Sequence, residues 1–428
     1  MSGAEASFAE QLGRATVRGE PAFVGALRAK GREAFLRLHL PSQRHEDWRY
    51  TSLAALAERP FAPAGPASAP AKDLPAAPRL VFVNGRLDPR ASDLAGLSAG
   101  VRLSGLAAAL RERPALLEPL LGAGAPREDA FLALNAGLFE DGALVELGEG
   151  AKSERPLQLV FFSIATQPVA SHPRNLVLAA PGSQATVVEH YRGEGPYLVN
   201  ALTEIALAEG AVVEYDRLQE EGPQAFHLGH LEVRQGAQSR FTGESFALGG
   251  LLARVELRAR LAAEQATCDL FGLYLGSGGQ LLDHLVEVDH AGPRSQSREV
   301  FKGILDGRAR GVFAGRIRVR EGAQKTDADQ VNSNLLLSDD ATIDTKPQLE
   351  ILADDVKCSH GGTVGQLRED QLFYLRTRGV PLPLARAMLT WAFASEMVDK
   401  LGPDELRVRL ARAVQARLPG GALLREVA

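Results

Sequence analysis

Cys358 and His360 sit two positions apart in Lys357-Cys358-Ser359-His360-Gly361-Gly362. On an extended chain, residues at i and i+2 face the same way. The pair can therefore present a thiolate and an imidazole side by side. That donor set suits iron or zinc, with the thiolate as the soft ligand. Gly361-Gly362 allows a tight backbone turn beside it. The same spacing is also met by a free cysteine packed beside a hydrogen-bonded histidine, and spacing alone leaves both readings open. Just upstream lie Asp327, Asp329, Asp339, Asp340, Asp344, Asp354 and Asp355. Asp339-Asp340 and Asp354-Asp355 raise a second chemistry, the acid/base carboxylates of a polysaccharide-cleaving enzyme. Their plainer reading is as turn caps facing water, and neighbours on a strand point to opposite faces.

Other groups carry less. His227 and His230 lack an acidic or cysteine partner at ligand spacing. His284 alternates with Leu282, Val286 and Val288, which places it in a core. Cys268 reads as a small buried residue, and Trp48 and Tyr50 read as packing anchors. Gly148-Glu149-Gly150-Ala151-Lys152-Ser153 lacks the glycine that a phosphate loop needs before its lysine. Gly193-Glu194-Gly195 does not extend to a dinucleotide fingerprint. Gly96-Leu97-Ser98-Ala99-Gly100 follows Arg90 to Ala95, which is no strand, so it is a chance match rather than a nucleophile elbow. The usual hydrolase and oxidoreductase signatures are therefore missing or out of context, and no nucleotide site is expected. Whether a flavin binds is left open.

Composition narrows the class. The chain has 428 residues, 45% apolar and 24% charged, which is ordinary for a folded protein. Its length predicts roughly three domains. With 48 basic and 53 acidic residues it shows no footprint for nucleic acid. No stretch approaches the roughly 20 apolar residues of a membrane helix. Met1 to Pro21 has no apolar leader, so a cytoplasmic location is expected. Two cysteines imply free thiols in a reducing compartment and cannot by themselves complete a cluster or a four-thiolate zinc site.

The elements that must position these residues are read as follows. Residues 1–58 form an N-terminal helical region. The stretch 59–78 holds six prolines in 20 residues and reads as an extended linker. Residues 79–142 mix strand and helix: Arg79 to Val83 is a strand closed by Asn84-Gly85, and 103–121 and 127–139 are helical. From 143 to 367 short β-branched runs alternate with glycine turns. From Gly182 the turns step by 28, 26 and 28 residues, and the repeat fades after residue 264. A stacked solenoid fits that period, a parallel β-helix in particular, with a large sandwich as the rival. Residues 368–428 are helical again. Ala385, Met388, Leu389, Ala392, Phe393 and Met397 are the expected apolar face of the second helix there, and Leu406, Leu410, Val414 and Leu418 that of the third.

The segment Lys346 to Gly361, with Gln330 to Ser338 upstream and Leu372 to Gly379 downstream, resembles the SufB/SufD family, scaffold components of the SUF iron–sulfur cluster assembly system. Glu46-x-Trp48-Arg49-Tyr50-Thr51 fits the same family. Cys358-Ser359-His360-Gly361-Gly362 resembles the SufD branch, whereas the SufB branch tends to carry an acidic residue after the histidine. Gly362 departs from the alanine frequent there. The resemblance implies a mainly β protein, with a right-handed parallel β-helix flanked by terminal helical domains. It implies a SufB-like paralogue as partner and two copies of a SufC-like ATPase docked on the C-terminal helices, from about residue 368. It also implies Cys358 and His360 as ligands of transient iron or a nascent cluster at the partner interface. A scaffold that catalyses nothing by itself, and a homodimer of the isolated chain, are further expectations.

Overall fold

The computed structural model describes residues 2–15, 19–70, 74–121 and 128–424. The expected helix at 127–139 begins outside them at Arg127, and its described part is Ala130–Leu138, capped by the Asp129 carboxylate.

Strands dominate, at 41% against 24% helix, and wind into a β-solenoid of about eight turns. From Gln184–Glu194 onward successive strands alternate between two sheets, one of eleven and one of ten strands. Within each sheet the solenoid strands pair in parallel, each with the strand one coil earlier. Side chains alternate in and out. The inward set, including Val187, Tyr215, Phe241, Leu270 and Phe313, fills the space between the sheets.

The glycine period has a structural cause that outlasts the glycines. Gly150, Gly182 and Gly210 turn one edge of the solenoid at positive φ, each at 65°. The same edge is then turned by Gln238, Gln265, Arg294 and Lys325 at φ between 55° and 60°. Each of these seven amides donates to a carbonyl of the next coil, from Gly150 to Pro181 through Lys325 to Asp355. The conformation repeats while the residue type changes, because the ladder bond offsets the roughly 1–2 kcal/mol that a Cβ costs in this region. The coil also lengthens, from 28 residues between Asn175 and Thr203 to 32 between Arg316 and Gln348. The expected fading of the repeat after residue 264 is thus a change of residue type and step, not an end of the solenoid.

Local departures are informative. The stretch 59–78 is not free at its start: Phe61 is buried, and Ala62–Pro63 bridges Val169–Ala170. The first residues of the expected helix at 103–121 belong to strand Val101–Gly105, and helix begins at Leu106. Gly96 to Gly100 is a loop in which the Ser98 hydroxyl accepts the Glu154 amide.

The N-terminal helices Gly3–Arg14 and Ala22–Leu38, through Phe8 and Phe35, and the turn Glu46–Trp48, through Trp48, pack against the outer face of the larger sheet. The C-terminal helices Leu382–Val398 and Asp404–Arg417 cover the outer face of the other sheet. There Leu218, Phe246, Leu273 and Ile304 meet Met397, Leu401, Leu410 and Val414. The expected face of helix Leu382–Val398 needs correction. Ala385, Ala387, Thr390, Ala394, Met397 and Val398 are buried, Met388, Leu389 and Phe393 are half-buried, and Ala392 is exposed. Small residues let the helix lie close to its neighbours, and periodicity weighted by side-chain size put the stripe more than a third of a turn off. Leu410→Ala is expected to cost about 2–5 kcal/mol as a buried-leucine deletion. Denaturant unfolding should read the loss, and hydrogen exchange should place it in the C-terminal helices.

Candidate functional site

The solenoid ends on two edge strands, Thr342–Ile351 of one sheet and Lys357–Gly365 of the other, each paired on one side only. Cys358 pairs with Ala328 and His360 with Gln330. Ser359 faces outward, its hydroxyl donating to Asp329. Alternation therefore turns Cys358 and His360 together toward the solenoid interior, at its last, open coil. Cys358 is half-buried against Ile317, Ala328 and Val356, while His360 is exposed. Across the opening stands Thr345, whose buried hydroxyl has no hydrogen-bond partner, close to Gly362.

Behind the pair the interior is polar. The column ending at His360 runs back through Gln330 to Glu299, and the Gln330 amide donates to the Glu299 carboxylate at 2.6 Å. Burial pushes Glu299 up to about 8. One step along, Asn332 and Asn334 bond each other and the Tyr274 hydroxyl. Gln330-x-Asn332-x-Asn334 is a polar stripe on the inward face of a strand, and that i, i+2 pattern was the signal by which sequence reasoning could have found this lining. Cys268 lies in the same inward column as Cys358, three coils inside it through Ala328 and Ser297, and is fully buried.

Burial raises the Cys358 thiol above its ordinary value, Asp327 adds to this, and the Ala328 amide opposes it. The Cys268 thiol is raised further by burial, then by Glu299 and Asp269. Both are thiols at neutral pH, so a metal at Cys358 must displace a proton to bind. Exposure separates them. Iodoacetamide on the native protein is expected to alkylate Cys358 slowly, faster at higher pH, and to leave Cys268 unmodified until denaturation. Mass spectrometry of the two tryptic peptides checks this.

The aspartate pairs do not assemble an acid/base site. Asp339-Asp340 and Asp354-Asp355 lie in turns at opposite ends of strand Thr342–Ile351. Ten residues at ~3.3 Å separate the two turns by about 30 Å, far beyond the roughly 5–10 Å between glycosidase carboxylates. Asp355 instead pairs with Lys325 at 2.9 Å. His284 is buried beside Tyr274, as expected for a core residue. His227 does find an acid, Glu221 at 2.6 Å, inside the solenoid and away from the open end. Trp48 is a packing anchor, with the Arg254 guanidinium 4.0 Å above its ring. Among the described residues no helix is long and apolar enough to cross a membrane.

The chain matches two family models. Residues 161–393 match "SUF system FeS cluster assembly, SufBD core domain" and residues 73–159 match "SufBD protein N-terminal region". It is 33% identical over 400 residues to the iron–sulfur cluster assembly protein SufD of Escherichia coli, covering 91% of this chain and 92% of that protein. It is 34% identical over 401 residues to an iron–sulfur cluster assembly SufBD family protein of Synechocystis, covering 89% and 88%. A chloroplastic protein of Arabidopsis thaliana, ABCI7, is 34% identical over 303 residues, covering 68% of this chain and 63% of that protein.

Proposed function

Because the chain belongs to the SufBD family of the SUF iron–sulfur cluster assembly system, we propose that it is a SufD-type scaffold subunit whose open solenoid end docks a SufB-type paralogue. Iron or a nascent cluster is then the cargo of the joint, held on this side by Cys358 and His360. The observation that carries the reading is the placement of those two side chains together, inward, on an edge strand with unpaired backbone groups. Such an edge is a template for another strand. Cys358 and His360 supply two ligands, and a cluster needs about four, so the others come from the partner. Ile351, Leu352 and Val364 are exposed beside the opening, which suits burial by a second chain.

The same reading assigns the C-terminal helices, with exposed Phe373 and Tyr374, to a SufC-type ATPase. ATP-driven closure of two such subunits would open and close the joint. That requires the ATPase to bind the two arrangements with different free energy. The chain itself acts as scaffold and not as enzyme, in the cytoplasm, and in isolation its open end can pair with a second copy of itself. Anaerobic affinity purification from the source cells, with co-purifying chains identified by mass spectrometry, tests the assembly. A SufB-like and a SufC-like chain should be recovered together. Recovery of neither, under conditions that preserve such complexes, would overturn the reading. Recovery of both on a Cys358→Ser chain with undiminished cluster content would leave a purely structural subunit.

A further inference from the structure

The outer face of the smaller sheet holds a carboxylate cluster that cluster assembly does not use. Glu214 and Asp216 alternate on strand Val212–Glu221, and Glu244 on strand Arg240–Ala247 is in register with Asp216. Their neighbours Val213, Tyr215 and Phe241 fill the solenoid core, so alternation turns the three carboxylates outward, under the C-terminal helices. The link between those helices closes over them. A Cβ on Gly402 would clash with Glu214 Oε1, and Lys400 lies over the ring of neighbouring Phe271. One oxygen from each carboxylate lies within 4.8 Å of the other two. Oxygens on opposite sides of an ion with bonds of about 2.3–2.6 Å stand roughly that far apart.

A separate observation points to a ligand. Asp216 is fully buried, and neither of its oxygens has a hydrogen-bond donor. Oε2 of buried Glu244 has none either, whereas Glu214 accepts the Thr186 hydroxyl at 3.1 Å. Buried carboxylate oxygens without a donor are costly and rare. Burial first, then the neighbouring carboxylates, push Asp216 well up, and Glu244 up to about 8 against the opposing charge of Lys400.

We propose that Glu214, Asp216 and Glu244 bind a hard divalent cation of the Mg²⁺, Mn²⁺ or Ca²⁺ class, which fastens the C-terminal helices to the solenoid. The donor set is all oxygen, with no thiol or imidazole, so it selects against the soft chemistry of Cys358. Half-buried Glu214 is the side from which the ion enters. Binding must displace the proton that burial favours on Glu244.

The test uses the full chain, stripped with chelator and titrated with Mn²⁺, with free Mn²⁺ read by electron paramagnetic resonance. One saturable Mn²⁺ per chain is expected, displaced by Ca²⁺ or Mg²⁺, together with a rise in Tm. Asp216→Asn and Glu244→Gln should each weaken uptake by at least about tenfold and abolish the Tm response. Asp339→Asn, in an exposed turn, should change neither. If Asp216→Asn fails to fold, Glu244→Gln decides. No saturable uptake below about 1 mM by the unsubstituted chain, or uptake unchanged in the folded variants, overturns the proposal. The assay contains no iron and no partner, so its outcome is independent of the scaffold reading.

Discussion

Replacing Cys358 with serine is expected to lower iron or cluster content on the assembled complex by at least the roughly 10–100-fold that even an outer-shell change costs a metal site, with the fold intact. The two halves of that expectation have different causes. Cys358 is half-buried at the rim of a small apolar cluster on the last strand, so an isosteric exchange removes little packing. Its sulfur, by contrast, is the soft donor of the open end, and no described thiol can replace it, because Cys268 is sealed within the solenoid. The loss should be pH-linked in the parent protein. Burial and Asp327 hold the thiol protonated at neutral pH, so below its raised pKa the apparent affinity should climb by about tenfold per pH unit as the displaced proton becomes cheaper to release. Cys358→Ser should flatten that slope. Iron analysis, circular dichroism and a pH series on the purified complex check all three.

The second large effect concerns the joint between the N-terminal region and the solenoid. Arg254 is buried, paired with Glu256 at 2.7 Å and with Asp283, and stacked on Trp48. Thr51 donates to the same Asp283 carboxylate at 2.5 Å. Arg254→Met leaves Asp283 buried without its counter-charge and is expected to cost about 3–5 kcal/mol. Adding Asp283→Asn should recover part of that loss, which a packing defect alone would not. The pH dependence has a definite sign. Burial raises Asp283, and Arg254 opposes this. Without the arginine, the folded-state pKa rises further above the unfolded one, so the folded state binds the extra proton. The deficit therefore shrinks as pH falls toward about 4 and grows as pH rises from there through the raised folded value. Denaturant midpoints of the single and double variants between pH 4 and 8 measure it.

How much of this was legible in the sequence can be argued from particular residues. The solenoid was, because Gly182 and Gly210 mark an edge that must turn at positive φ. The turn period of its later coils was not, because Gln265, Arg294 and Lys325 take the same conformation without announcing it. Cys358 and His360 were legible as a pair from their two-residue spacing on an extended strand. That they sit on an open end was not, since the edge depends on which strand comes last in each sheet. Trp48 was legible as an anchor, but not its partner Arg254, some 200 residues away. The carboxylates of Glu214, Asp216 and Glu244 left no sequence signal, because they converge only when two coils stack and a helix link closes over them.

The central claim is that His360 and Cys358 ligate the cargo at the joint with a partner chain. It is tested most directly by pulsed electron paramagnetic resonance on the complex, with a cluster assembled anaerobically and reduced, and with ¹⁵N-histidine in this chain alone. The account predicts a ¹⁵N coupling to the cluster that disappears in His360→Ala. A fully assembled cluster with no such coupling, or with a coupling that survives His360→Ala, would contradict it.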